Sequence, residues 1–257
     1  MSFNVIRNCI PLVLAVAVTL HSCSIKEDRE VCPCWLTIQT VPGGGSQSEV
    51  CWSLWASDAV RQGVLDVLGD PSCTVEVPRE TIRLVAVSGA EGLFSAELGL
   101  MTEEGEQYPP VYYYSSVLDS RCESLRDTIL LHKNHVCINI QDGNSTGSFR
   151  YRIVGNVCGF GPDGQILPGP FSSQAEQSAG SFICRVPRQA DGSLRLDVYQ
   201  GSQLTRSFPL GEIIEMSGFD WTAEDLEDID LTLYYTATEV TFTVNGWQHK
   251  ITFYYEF

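Results

Sequence analysis

The sequence predicts an all-β protein built as two tandem modules behind a short N-terminal tether. Three observations point there. Runs of alternating or β-branched residues, bounded by Pro and Gly, recur from Trp35 to Tyr255. Beyond residue 133 these runs are joined by Asp-Gly and Asn-Gly pairs, which tolerate the positive φ of tight hairpins. Ahead of them lies an apolar leader that ends at Cys23.

Residues 1–22 have the layout of an export signal: Arg7 in a short polar start, an apolar run from Cys9 to Leu20, then polar or small residues before a cysteine. The run is too short for a hydrocarbon core that needs about 20 helical residues, and charges follow closely. Leu20-His21-Ser22-Cys23 resembles the bacterial lipobox, although His21 departs from its usual small or aliphatic choice. A thiol can take diacylglycerol as a thioether, and the small Ser22 lets a lipoprotein signal peptidase approach the bond. On this reading residues 1–22 are removed, Cys23 is lipidated, and residues 23–33 form an acidic tether. Lys26-Glu27-Asp28 within it resembles the acidic export signal of surface-exposed lipoproteins in some Gram-negative bacteria; a solvated charge run explains the same residues.

The chain has 257 residues and a formal charge of −16, and the leader contributes only Arg7 to that total. So acidic a body repels phosphates and anionic headgroups, so nucleic acid is not an expected partner. With 44% hydrophobic and 19% charged residues it can bury a substantial core. Of ten cysteines, Cys9 leaves with the signal and Cys23 is lipidated. The remaining Cys32, Cys34, Cys51, Cys73, Cys122, Cys137, Cys158 and Cys184 are even in number, which permits a full set of disulfides in an exported protein. Cys51 and Cys137, inside apolar strand patterns, equally fit buried free thiols.

No metal or other cofactor is expected. Cys32-x-Cys34 and His132-x-x-His135 lack a second matching pair, and the acidic run ending at Asp230 lacks the Asp-x-Asp-x-Asp-Gly spacing of a calcium loop. There is no Gly-x-Ser-x-Gly, His-Glu-x-x-His or phosphate-cradling glycine loop, so the chain reads as a non-enzyme without a small-molecule substrate.

The elements follow in order. Residues 35–41 have strand composition and stop at Pro42-Gly43-Gly44-Gly45, and 50–56 form a second strand. Residues 58–69 fit a helix through Val60, Val64, Leu65 and Leu68, or a strand through 64–67; both stay open. Residues 73–77 and 82–88 are strands bounded by Pro71, Pro78 and Gly89. Residues 90–127 are less regular, and Tyr112-Tyr113-Tyr114 fits a half-buried edge strand better than an exposed stacking platform for sugar rings. Val136, Ile138 and Ile140 share one face of the strand that opens the second module, with the boundary near Lys133.

Asp142-Gly143, Asp163-Gly164, Asp191-Gly192 and Asn245-Gly246 mark hairpins and make the second module a β-sandwich candidate. Residues 222–225 are expected to form one helical turn capped by Thr222 and complemented by Asp225. Residues 231–235, 240–244 and 251–255 are strands, the last two joined at Asn245-Gly246.

Taken in order, the lipobox, Asp28-Arg29-Glu30-Val31-Cys32-Pro33-Cys34, Leu131-His132-Lys133 and Val244-Asn245-Gly246-Trp247 resemble the fimbrial anchor lipoproteins that hold short and long fimbriae on the outer membrane. The resemblance covers most of the chain beyond the leader, except residues 90–127, and the Cys-Pro-Cys is richer in cysteine than the family pattern. It implies two transthyretin-like β-sandwich domains, 34–132 and 133–257. It also implies a lipid-anchored place on the cell outer membrane at the base of a fimbrium, with fimbrial subunits as protein partners.

Such subunits resemble polymers built by β-strand addition. The Asn245-Gly246 hairpin would keep this chain's last strand at home and end the fibre. The alternative is a surface glycan-binding lipoprotein using aromatic platforms. An outer-membrane barrel, hinted at by the terminal Phe257, fits less well because barrels do not normally carry a lipobox. Asp127-Thr128-Ile129 also resembles an O-glycosylation site of some Gram-negative exported proteins.

Overall fold

The structure is a computed structural model and describes residues 32–41, 48–57, 59–90, 92–143, 149–235 and 239–252. Its strands run β1 (Cys34–Thr40), β2 (Glu49–Trp55), β3 (Val60–Asp66), β4 (Ser72–Val77), β5 (Thr81–Ser88), β6 (Phe94–Ser95), β7 (Gly99–Met101), β8 (Tyr112–Asp119), β9 (Ser124–Ile129) and β10 (His132–Lys133). Next come β11 (His135–Asp142), β12 (Phe149–Phe160), β13 (Ile166–Gln174), β14 (Glu176–Ser178), β15 (Ser181–Pro187), β16 (Arg195–Gln200) and β17 (Gln203–Phe208). Helix α1 (Leu210–Met216), β18 (Ile229–Tyr235), β19 (Glu239–Val244) and β20 (Trp247–Thr252) follow.

Alternation sets the layers. In β1, Cys34, Leu36 and Ile38 point inward from one face, and Val136, Ile138 and Ile140 do the same in β11. Sheets β4-β1-β9 and β10-β8-β5-β2-β3 enclose a first core containing Leu36, Ile38, Leu54, Ile82 and Leu84. Sheets β14-β15-β11-β18-β19-β20 and β17-β16-β12-β7-β6, with β13 also paired to β12, enclose a second core around Ile138, Tyr151, Ile153, Phe171 and Phe242. The chain is thus all-β, two sandwiches in tandem. The modules repeat one arrangement: β1 lies between antiparallel β4 and parallel β9, and β11 between antiparallel β15 and parallel β18.

Within the stretch 58–69, Val60–Asp66 form strand β3, in register with β2 from Val60 opposite Trp55 to Asp66 opposite Glu49. Gly63 is needed there, because a Cβ would sit 2.5 Å from the Trp52 ring. Asp163-Gly164 and Asn245-Gly246 are tight turns within one sheet, with φ of 81° at Gly164, 45° at Asn245 and 87° at Gly246. Asp142-Gly143 and Asp191-Gly192 instead lie where the chain leaves one sheet for the other, after β11 and β15. A turn signal specifies local backbone reversal, not the sheet that receives the next strand.

The expected helical turn at 222–225 is absent: Asp220, not Thr222, is the capping group, accepting from Thr222 N at 2.8 Å and from Thr222 Oγ1 at 2.7 Å. The helix lies earlier, at α1, where Leu210, Ile213 and Ile214 form a buried stripe.

The expected disulfides do not form in this structure: none of the eight described cysteines is in a disulfide. Strand pairing disperses most of them, placing Cys51, Cys73, Cys137, Cys158 and Cys184 on β2, β4, β11, β12 and β15.

The β19–β20 hairpin is sharply specified. Asn245 N donates to Asp230 O at 3.0 Å, and Asp230 N donates to Asn245 Oδ1 at 2.8 Å, tying the turn to β18. Gly246→Ala is expected to cost about 1–2 kcal/mol from left-handed strain alone, read as a lower urea midpoint with an unchanged slope.

Candidate functional site

Sheets normally bury one face, but β5 buries two. Ile82, Leu84 and Ala86 belong to the first core, whereas Val85 and Val87 pack into the second. Its neighbour β8 divides likewise, with Tyr114 against the first core and Tyr113 against the second. The outer face of this sheet is therefore the junction between the modules.

Tyr112 and Tyr113 are committed to that junction and Tyr114 to the first module. Tyr113 meets Phe160 edge to face at 4.8 Å and donates to Pro162 O at 3.2 Å; Tyr114 donates to Asp127 Oδ2 at 3.0 Å; Tyr112 meets the His135 ring at 5.7 Å. The run is a half-buried strand beside the short edge strand β10, not a free platform.

Residues 92–111, part of the less regular stretch 90–127, form a clasp. Leaving β5, the chain crosses to the second module, where β6 and β7 join the sheet of β12. It returns to β8 through Tyr108-Pro109-Pro110-Val111. Leu100 pairs with Phe160 and Met101 with Gly159, and Thr102 N donates to Cys158 O at 3.0 Å. The backbones approach so closely that glycine is required on both sides: a Cβ on Gly159 would lie 1.8 Å from Leu100 O, and one on Gly99 2.1 Å from Phe160 O. Further along, Gln107 Nε2 donates to Gln174 O at 2.8 Å, and Gln107 Oε1 accepts from Arg185 N at 2.9 Å.

A polar latch closes the other side. Asp225 accepts from Lys133 N at 2.7 Å and lies 3.2 Å from His132 Nδ1, while Glu224 lies 3.2 Å from His132 Nε2. Asp228 Oδ1 accepts from Lys133 Nζ at 2.6 Å and from Cys137 N at 2.8 Å. Arg188 spans the gap, donating to Asn134 Oδ1 and to the carbonyls of Trp221 and Ala223. The Leu131-His132-Lys133 motif thus marks the joint, and the acidic run beyond residue 220 is its counterpart. Partial burial opposes charge on Asp225, but the Lys133 amide and His132 outweigh it and hold the carboxyl below the usual range.

His135 beneath the latch is buried and donates from Nδ1 to Val111 O at 3.0 Å. Burial lowers its imidazole below the ordinary value against the opposing pull of that bond. The unfolded chain then binds a proton before the folded one does. Stability is expected to be full above about pH 6.5 and to fall as pH drops toward the depressed folded value, with Asp225 adding a further loss below about pH 4. Melting temperature against pH checks this: His135→Gln, which keeps a donor for Val111, flattens the limb below pH 6.5.

The lipidation residue Cys23 and the export-signal residues Lys26, Glu27 and Asp28 lie outside the described residues. The chain enters the structure beside β1, the central strand of its sheet. Thr128 of the Asp127-Thr128-Ile129 sequence is exposed on edge strand β9 and accepts from Gln39 Nε2 at 2.8 Å. Among the described residues no group of His, Cys, Asp and Glu could hold a metal ion, and no helix is long and apolar enough to cross a membrane.

No protein-family model matches the chain, and no curated protein matches its sequence. Solved structures do match. A candidate polysaccharide-binding protein (DUF1812) from Bacteroides thetaiotaomicron superposes with a TM-score of 0.66 at 14% identity, over 85% of this chain and 98% of that one. A candidate adhesin from Bacteroides ovatus does so with 0.65 at 11%, over 89% and 97%. The fimbrial anchor protein Mfa2 from Porphyromonas gingivalis gives 0.62 at 10%, over 87% and 100%. The chain has the fold of these proteins, a β-sandwich pair running the length of each.

Proposed function

We propose that this chain is an outer-membrane lipoprotein that anchors a fimbrium to the cell surface and ends its polymer through a β-strand-mediated contact with a fimbrial subunit. The observation that carries the proposal is the shared fold with the anchor Mfa2 over that protein's whole length, together with the order of motifs from Cys23 to Trp247. In this proposal acyl chains on Cys23 hold the protein in the membrane and Lys26, Glu27 and Asp28 direct it outward. Its domains are 34–132 and 133–257, the first lending residues 94–101 to a sheet of the second.

The hairpin arrangement of β20 supports the chain-ending role. Residues 247–252 pair with β19 throughout, so this strand is already used within its own subunit. Edge strand β3, with Val60 and Val64 exposed, offers an acceptor for a neighbour's strand. Deleting residues 247–257 tests the role: the remaining chain should lose its fold or its assembly, and a folded deletion that still assembles normally rules it out.

The likeness to a candidate polysaccharide-binding protein favours a second reading, a glycan-binding surface lipoprotein. With the tyrosine run engaged within the fold, the site for such a ligand is an open cavity of about 710 Å³ whose lining includes Phe149 and Phe182. Co-purification with a fimbrillin polymer favours the anchor, whereas retention on insoluble polysaccharide, abolished by Phe182→Ala, favours the glycan reading.

A further inference from the structure

Cys34 opens β1 as a fully buried side chain, while Cys122 is exposed in the bend before β9. The parallel pairing of these strands begins with Trp35 opposite Ser124, and the Trp35 amide donates to Glu123 O at 3.0 Å. The bend brings Cys122 Sγ to 3.2 Å from Ser124 O, with Cys122 next to the residue whose carbonyl takes the Trp35 amide and so beside Cys34. Two residues so far apart in sequence, one opening its strand and the other just ahead of its strand, thus meet where the tether enters the first module.

We propose that Cys34 and Cys122 close to a disulfide when the chain meets a disulfide oxidant, joining the strand that follows the tether to its parallel neighbour. That this happens in the cell rests on the proposed export of the chain. Cys122, the accessible partner, attacks one sulfur of the oxidant's disulfide as a thiolate and releases the other as a thiol. Cys34 then gives up its proton and displaces the remaining oxidant sulfur from Cys122. Two protein thiols lose two protons and two electrons, and the oxidant ends as two thiols. Burial, then the neighbouring Cys122, pushes the Cys34 thiol up to about 11, which makes Cys34 the second rather than the first to react.

The bond has a mechanical consequence in an anchored protein. A pull opposed at Cys23 loads β1 from its N-terminal end, where hydrogen bonds to β4 and β9 and the packing of Cys34 and Leu36 resist peeling. A covalent link at Cys34 passes that load directly into β9.

The test treats the full chain with oxidised glutathione, blocks free thiols, digests without reductant and maps the peptides by mass spectrometry. A peptide joining Cys34 to Cys122, two hydrogens lighter than its parts, is expected. Closing a loop of about 90 residues should also raise the melting temperature by roughly 10 °C. Cys122→Ser, a change at an exposed position, should abolish the rise. Cys122 joined to Cys32, or both thiols left free for alkylation, overturns the proposal, as does an equal rise in Cys122→Ser. Thiol blocking in whole cells separates the two readings: a pair that closes with glutathione yet is reduced in cells upholds the chemistry and counts against export.

Discussion

Cys23→Ala is expected to move the protein from the membrane fraction to the soluble fraction and to abolish its labelling with palmitate. Each buried methylene of an acyl chain contributes about 0.8 kcal/mol; one chain alone holds marginally, and two or three hold firmly. The described residues offer no helix to replace them. Removing the thiol removes every chain at once, so membrane-bound protein should fall at least about tenfold. Folding should be unaffected, since the first core begins at Cys34. A Cys23→Ala protein that still partitions into membranes and takes up palmitate removes the lipid anchor from the account.

Gly159→Val is expected to open the clasp between the modules. The new Cβ would meet Leu100 O at 1.8 Å, Leu100 C at 2.9 Å and Met101 Cα at 3.2 Å, all main-chain atoms that no side-chain rotation can clear. Strand β7 must move off β12, taking with it the Thr102–Cys158 hydrogen bond and the stacking of Phe94 on Phe160. Overpacking in a well-filled core costs about 1–3 kcal/mol, and displaced strand pairing takes this toward about 3 kcal/mol or more. For a chain of this size that is a fall in melting temperature of roughly 6–12 °C. Residues 102–107 should also become open to protease. Gly92→Asn is the control: nothing lies within 4 Å of the added Cβ, and Asn tolerates the φ of 78° there. A Gly159→Val protein as stable as the parent would mean that β7 does not lie against β12.

Strands with one buried face were legible from sequence. β1, β2 and β4 begin and end within a residue or two of their alternating runs, because each pattern has one compatible face. Residues 58–69 were ambiguous because Val60, Val64, Leu65 and Leu68 fit a helix face and 64–67 fit a strand; the choice was made by β2, whose Trp52 lies over Gly63. Helix α1 escaped because its apolar stripe spans two turns at most and directly follows the strand-like run of β17.

The junction was the least legible part. Leu131-His132-Lys133 stood out as a motif, but nothing local names Asp225 and Asp228, some ninety residues on, as its partners. Those carboxylates read as a solvated turn. The stretch 90–127 likewise looked irregular because the partners of residues 100–107 lie on β12 and β13. The available signal was Gly159 itself, a glycine inside a strand-like run, which marks close backbone approach.

The measurement that bears most directly on the anchoring role is the partition of fimbriae between cells and medium after deletion of the gene. The account predicts fibres released into the medium, with attachment restored by the intact gene and not by one encoding Cys23→Ala. Fibres that stay on the deleted cells at their usual number and length would contradict it.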